Sequence, residues 1–320
     1  EQKHARPQAP AQPNPHRPAV FSRVPGRLLA GVGSGRLPWA RPWSTTTGAP
    51  GLPVNATTNA RYSGINVLLL WLAASAHGYT QSRWLTYRQA AAVGGQVRRG
   101  EKGVSLVYAS TYVPQAEQER ADASGEEAFG IAFLKRFTVF NVAQIDGLPE
   151  AVCGLAPVDP PHATNAALDA FVQATGVEMR FGGNEAYYHP RFDYIQCPPP
   201  AAFSSPEAMF GVQAHELAHW TGAEHRLNRT FGKRFGDSAY QMEELVAEIS
   251  AAQLCAVMGI APSLRHAAYI QSWLTLMKSD RRAIFTAASQ ASAAVDYLLK
   301  CAGHQERDDS LQTPDLALAA

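Results

Sequence analysis

The chain has 320 residues, 46% of them hydrophobic and 17% charged, enough to bury the cores of two ordinary domains. A net charge of +1 conceals a division: residues 1–113 hold 13 Lys and Arg against 2 Asp and Glu, whereas residues 114–320 hold 15 against 25. The longest apolar run, Val67–Ala74, is far short of the roughly 20 residues that span a bilayer, and residues 1–19 contain no apolar signal core, so the expectation is a cytoplasmic protein with no membrane partner.

Residues 1–20 are rich in Pro, Gln and Arg and read as a disordered arm. A basic domain is expected over 21–150. Within it, residues 31–60 form a Gly/Pro/Ser/Thr-rich loop. Ser63 caps a helix over 64–77 that Gly78 closes, and Thr86 caps a second helix running to Val93. Two strands follow, Val104–Val113 and Ile131–Val142, paired across a flexible acidic insert at 114–128. Residues 151–162 read as a linker. The second domain, 163–302, begins with a helix over 163–175 and strand-like pieces at Val177–Phe181 and Asp193–Cys197. Ser205-Pro206-Glu207 then marks a strong helix start, a further helix runs from Asp237 to Gly259, and two more occupy 263–278 and 281–300. Residues 303–320 read as a disordered tail. The expected class is α+β: a small basic α+β domain followed by a mostly helical one with a small sheet. Cys153, Cys197, Cys255 and Cys301 form no CxxC, which speaks against a disulfide framework and fits a reducing compartment.

His215-Glu216-Leu217-Ala218-His219 carries the chemistry. Two histidines four apart lie on one helical face and can share an ion, and the adjacent Glu216 is placed to act as general base toward an attacking water. A third ligand is needed. Glu244 and Glu248 share a face of the next helix beside an apolar stripe of Leu245, Ile249 and Ala252. We read Glu244 as ligand and Glu248 as the residue that orients a ligand histidine, with Glu243 as the alternative ligand. Two imidazoles and a carboxylate suit Zn2+, and Mn2+ or another divalent ion can occupy such a set. Candidates to stabilise an oxyanion are His225, Tyr240, Tyr187 and Tyr188, and Asp193–Gln196 is a candidate strand edge for a peptide.

In the first domain basic and aromatic residues interleave: Arg36, Trp39, Arg41, Trp43, Arg61, Arg83, Trp84, Tyr87, Arg88, Arg98, Arg99 and Lys102, with Tyr62 and Tyr108. Arginine neutralises phosphates and aromatic faces stack unpaired bases, the pattern of sequence-tolerant single-strand binding. The competing reading makes Trp71, Trp84 and Tyr87 core and the arginines solubilising.

Several strings resemble one family. Leu37-Pro38-Trp39 with Arg41-Pro42-Trp43, Tyr62–Trp71, Trp84–Ala90 and Gly94–Gly103 resemble the N-terminal domain of ArdC-type antirestriction proteins of conjugative plasmids; a similar domain precedes some plasmid primases. His215–Gly222, Arg226-Leu227-Asn228-Arg229, Glu243–Glu248, and Ala268-Tyr269-Ile270 with Trp273-Leu274 and Asp280 resemble the zincin-like domain of that family. The resemblance implies a bacterial protein that binds single-stranded plasmid DNA during transfer, protects it from restriction and carries a metallopeptidase-like domain. It also supports Glu244 as third ligand. Two alternatives stand beside it: a zinc endopeptidase that its basic domain delivers to DNA, where it cleaves a host restriction or other protein, and a primase-associated accessory protein.

Overall fold

The computed structural model describes residues 51–125, 129, 131–154, 165–230, 238–260, 270–280 and 282–304. The arm over 1–20 and the Trp39/Trp43 loop lie outside these residues, as do nearly all of the tail and most of the 151–162 linker.

The first half is built around β1 (Val54–Asn55), α1 (Ile65–His77), β2 (Arg83–Thr86), α2 (Tyr87–Ala92), β3 (Gln96–Val97), β4 (Val104–Tyr112), α3 (Gln115–Ser124), β5 (Ile131–Asn141), β6 (Ile145–Asp146) and the short α4 (Glu150–Cys153). Strands order β1-β2-β5-β4, with β1 parallel to β2 and the rest antiparallel; β3 and β6 form a separate pair. Gly64, not Ser63, precedes the first turn of α1. Its φ of 57° is a glycine conformation, and its N–H is held by Ser292 Oγ at 2.9 Å. Thr86 caps α2 as expected, in a reciprocal capping box with Gln89.

The 114–128 stretch is not a structureless insert, since residues 115–124 are helical. Glu117 pairs with Arg120 at 2.8 Å and Gln115 with Glu119 at 3.0 Å, and Gly125 ends the helix in the left-handed region. The charges that read as disorder are one-turn pairs on a solvated helix.

The second half comprises α5 (Asn165–Ala174), β7 (Glu178–Phe181), β8 (Tyr187–His189), β9 (Tyr194–Cys197), α6 (Pro206–Thr221), α7 (Ser238–Val257), α8 (Ile270–Ser279) and α9 (Ala283–Cys301). Its sheet orders β7-β9-β8. β9 pairs on both sides, parallel to β7 and antiparallel to β8, so Asp193–Gln196 is not a free strand edge for a peptide; the central position uses both rows of backbone groups.

Packing joins the halves. Helix α1 is apolar on nearly every side, and both sides are covered. Leu68, Leu70 and Trp71 belong to one buried cluster with Leu106 of β4, with Leu245, Ile249 and Ala252 of α7, with Trp273 of α8 and with Ile284 and Ala288 of α9. Asn66 caps the outer edge of the sheet, β4, where α1 buries it: its side-chain N–H donates to the Val107 carbonyl at 2.7 Å, and its oxygen accepts from the Val107 N–H at 3.0 Å. A second cluster packs α5, α6, the three-stranded sheet and the opposite side of α7. Helix α7 is therefore buried on all sides from Glu243 to Ala256, and it carries the polar site at its N-terminal end.

Candidate metal centre and basic face

The metal helix starts as its sequence dictates. Ser205 Oγ accepts from the Ala208 N–H at 3.2 Å, Pro206 occupies the first turn, and Glu207 faces the helix N-terminus. Two turns on, His215 and His219 bring their Nε2 atoms to 3.2 Å. Two nitrogens each about 2.1 Å from one tetrahedral ion would lie about 3.4 Å apart. Glu244 comes from α7 and straddles the pair, with Oε2 3.6 Å from His215 Nε2 and Oε1 3.6 Å from His219 Nε2. Ligand atoms of these three residues all lie within 4.8 Å of one another. This donor set fits a divalent ion. Glu216 is buried beside them.

The outward nitrogens are also aimed. His215 Nδ1 lies 3.6 Å from Glu248 Oε2, and His219 Nδ1 lies 3.2 Å from Glu243 Oε1. Glu243 is thus turned away from the three-residue cluster, and the two adjacent glutamates do different things. Both oxygens of Glu243 also accept from the buried Arg229: Nε to Oε2 at 3.0 Å and Nη2 to Oε1 at 2.8 Å. Sequence reasoning noted Arg229 only inside a family string; a single arginine in a loop gave no spacing signal.

Burial alone would depress the His215 imidazole. The Glu244 and Glu248 carboxylates, each 3.6 Å from a ring nitrogen, and the nearby Glu216 charge outweigh it and raise the pKa to about 10. Burial would raise the Glu244 carboxyl, but His215, the His219 charge and the Tyr240 hydroxyl together hold it down at about 2. Tyr240 is accordingly the one of the four oxyanion candidates that contacts the cluster. Tyr188 and His225 instead serve Asp193: the Tyr188 hydroxyl donates to it at 2.9 Å, His225 lies 3.5 Å away, and Arg226 forks onto the same carboxylate while its guanidinium covers the Trp220 ring. Tyr187 lies on the outer face of the three-stranded sheet against Tyr194.

The twelve basic-face candidates divide. Arg36, Trp39, Arg41 and Trp43 lie outside the described residues. Trp84 has no exposed surface and packs in the α1 cluster, so it cannot stack on a base; a large indole at an inward strand position is core. Arg83 gives its donors to Val152 O, Ala56 O and Asn59 Oδ1 and knits loops together. Arg61 is half-buried, 3.9 Å from Asp296 of α9. Arg98 is exposed but bonded to Glu101, Asp146 and Ala143 O. Tyr87, 52% exposed, Arg88, Arg99 and Lys102 face solvent. Lys135 and Arg136 of β5, which the interleaving pattern did not include, are exposed as well.

Comparison with known proteins follows the same division. A family model described as a zincin-like metallopeptidase matches residues 166–290, and one described as the N-terminal domain of anti-restriction factor ArdC matches residues 19–140. The uncharacterized protein y4eC of Sinorhizobium fredii is 38% identical over 296 residues, covering 91% of this chain and 93% of that protein. A DNA primase TraC of Escherichia coli is 36% identical over 308 residues, but the match spans only 28% of the primase. Among solved structures, the metal-free crystal structure of antirestriction ArdC from plasmid R388 superposes with a TM-score of 0.75 at 42% identity, covering 90% of this chain and 99% of that one. Its Mn(II)-bound structure gives 0.73 at 40% identity, covering 88% and 98%.

Proposed function

The chain belongs to the ArdC antirestriction family, and from that premise we propose that it binds single-stranded plasmid DNA during conjugative transfer while carrying a divalent-metal, peptidase-like centre. His215, His219 and Glu244 are the ligands, Glu216 is the general base, and Glu248 orients His215. The observation that carries the metal reading is the convergence of two Nε2 atoms and one carboxylate from two helices onto a single point. An ion held there would act as a Lewis acid on a substrate carbonyl. This chain's residues would do the rest: Glu216 takes a proton from the attacking water, Glu248 keeps the His215 ring in place, and the surrounding apolar packing excludes bulk solvent. The ion is Zn2+ or Mn2+; a relative of known structure holds Mn(II). Tyr87, Arg88, Arg99 and Lys102 form the DNA face, with aromatic stacking and phosphate pairing. The protein acts in the bacterial cytoplasm, and among the described residues no helix is long and apolar enough to cross a membrane.

A second reading, an endopeptidase that cleaves a host protein, is favoured by the full complement of ligands plus Glu216. The test is affinity for a fluorescent single strand and its duplex across salt concentrations, in the parent chain and in Glu216→Ala. Tighter single-strand binding, with log K falling by about 0.7 per phosphate against log salt, together with antirestriction retained in Glu216→Ala, supports DNA escort. Loss of antirestriction in Glu216→Ala with metal and DNA binding intact favours the endopeptidase. Equal weak binding to both DNA forms overturns the DNA assignment.

A further inference from the structure

Two adjacent glutamates, Glu243 and Glu244, both reach His219, yet only Glu244 faces the ligand atoms. The geometry points to Arg229 as the residue that decides this: its guanidinium clamps Glu243 as the hydrogen-bond acceptor for His219 Nδ1–H, so that Nε2 is left for the ion and Glu244 supplies the carboxylate. This rests on the reading of His215, His219 and Glu244 as the ligands.

The side chain of Arg229 is almost wholly buried, and four acceptors take four of its five N–H groups. Nε and Nη2 bond the two oxygens of Glu243, as above. Nη1 donates to Thr221 Oγ1 at 2.8 Å, and Nη2 also donates to the Ala218 carbonyl at 2.5 Å. Ala218 precedes His219 in the last turn of α6, and Gly222 sends its own N–H to His219 O and Trp220 O. Helix ends leave carbonyls without intrahelical partners. Here Arg229 and the Thr221 hydroxyl, 2.6 Å away, take the one next to the ligand histidine. Arg229 is itself fixed, because its backbone N–H donates to Gly222 O at 2.9 Å. The loop after the metal helix therefore folds back to place one fork between α6 and α7.

Each of these bonds has a consequence. With both oxygens engaged by a planar fork, Glu243 cannot swing toward the ion, and its Oε1 remains 3.2 Å from His219 Nδ1. A carboxylate at Nδ1 selects the tautomer in which that nitrogen carries the proton. The Arg229 charge also offsets one of four buried carboxylates at the site, Glu216, Glu243, Glu244 and Glu248. Lysine could keep the charge but not the fork, so it cannot hold both Glu243 oxygens and the Ala218 carbonyl together.

The test uses full-length protein with Arg229→Lys and Glu243→Gln, 15N-labelled at histidine. It measures Zn2+ affinity by calorimetry, His219 tautomer by long-range 1H–15N correlation, and thermal stability without metal. We expect wild type to show metal at Nε2 and a proton at Nδ1 of His219. Arg229→Lys should lose roughly 10- to 100-fold in Zn2+ affinity and shift the His219 signals, while the His215 signals stay put. Glu243→Gln, which keeps the size and one acceptor oxygen, should show the same changes to a smaller extent. A merely structural role would lower the melting temperature and leave affinity and tautomer at wild-type values in the folded protein, and that result overturns the proposal. Failure of wild type to place Zn2+ on both Nε2 atoms overturns the ligand assignment as well, and so is told apart from failure of the clamp alone.

Discussion

The helix pair α6/α7 and the basic face of the N-terminal half were both picked out by residue type and spacing, and they fared differently. On α6 and α7 the ligand atoms of His215, His219 and Glu244 gather at one point, with Glu216 buried beside them and Glu248 behind His215, while Glu243 turns away. On the basic face the candidates scatter: Trp84 is core, Arg83 staples loops, Arg61 faces α9, and Tyr87, Arg99 and Lys102 reach solvent. Helical spacing is a rigid statement about direction, because residues four apart share a face whatever surrounds them. Interleaving of Arg with aromatics through loops, short strands and a six-residue helix makes no such statement. An arginine there serves a phosphate or a carbonyl with equal ease.

The largest expected effect separates the two adjacent glutamates. Glu244→Gln should weaken divalent-metal binding by more than the roughly 100-fold that loss of an outer partner costs, and should leave single-strand affinity unchanged. Calorimetry with Mn2+ and Zn2+ on the folded variant measures it. Equal losses in Glu243→Gln and Glu244→Gln would erase the division of labour that the distances describe.

Next in size is the packing that joins the regions. Leu68 of α1 is fully buried among residues of α7, α8 and α9, so Leu68→Ala should cost about 2–5 kcal/mol. Denaturant unfolding should remain a single transition, and saturating metal should raise its midpoint, because a ligand at α6/α7 stabilises whatever unfolds with them. Two separate transitions, only one of them shifted by metal, would show that the N-terminal half is an independent unit and that the shared cluster is not cooperative.

The same packing explains what could be read in advance. The Gly78 stop of α1, the α2 and α6 starts, the β4/β5 pairing and the helical second half were legible because caps, Gly stops and alternation are local signals; the cap expected at Ser63 was not, since Gly64 precedes the first turn of α1. The sharing of one core between two family domains was not, since the apolar excess of Val67–Ala74 says only that both sides of α1 are covered, not by what. Helix α3 was missed because its one-turn charge pairs resemble a disordered acidic stretch when periodicity is ignored. At the metal centre, the Glu244/Glu248 face could be read from spacing. The role of Glu243 could not, because it depends on Arg229, fourteen residues away in sequence and placed by a loop.

An intermediate effect is expected from pH. Without metal, the His215 pKa is raised above its ordinary 6.5, to about 10, by the carboxylates around it. That contribution to stability is complete below about pH 6.5 and is lost as pH rises through about 10. Ligation needs the neutral imidazole, so across this window binding expels a proton and the apparent affinity should rise by up to about tenfold per pH unit. Glu244, at about 2, stays ionised throughout and adds no slope. Calorimetry between pH 6 and 9 in two buffers of different ionisation enthalpy counts the released proton. A flat affinity with no release would mean that His215 is already neutral when the ion arrives.

The smallest effect probes the border between the regions. Arg61 belongs by type to the basic face, but its guanidinium lies 3.9 Å from Asp296 of α9, close to where Ser292 holds the Gly64 N–H. A partly exposed pair at that distance is worth about 0–1 kcal/mol, so Arg61→Ala should hardly move the melting temperature. It should also leave single-strand affinity and its salt slope nearly unchanged, whereas Arg99→Ala should reduce the slope by about 0.7 for each phosphate that arginine neutralises. Binding isotherms at three salt concentrations for the two variants make the comparison. Equal losses would place a phosphate at the Arg61–Asp296 border, and the DNA path would then run across the packed junction toward α9 instead of stopping at the exposed turn around Arg99 and Lys102.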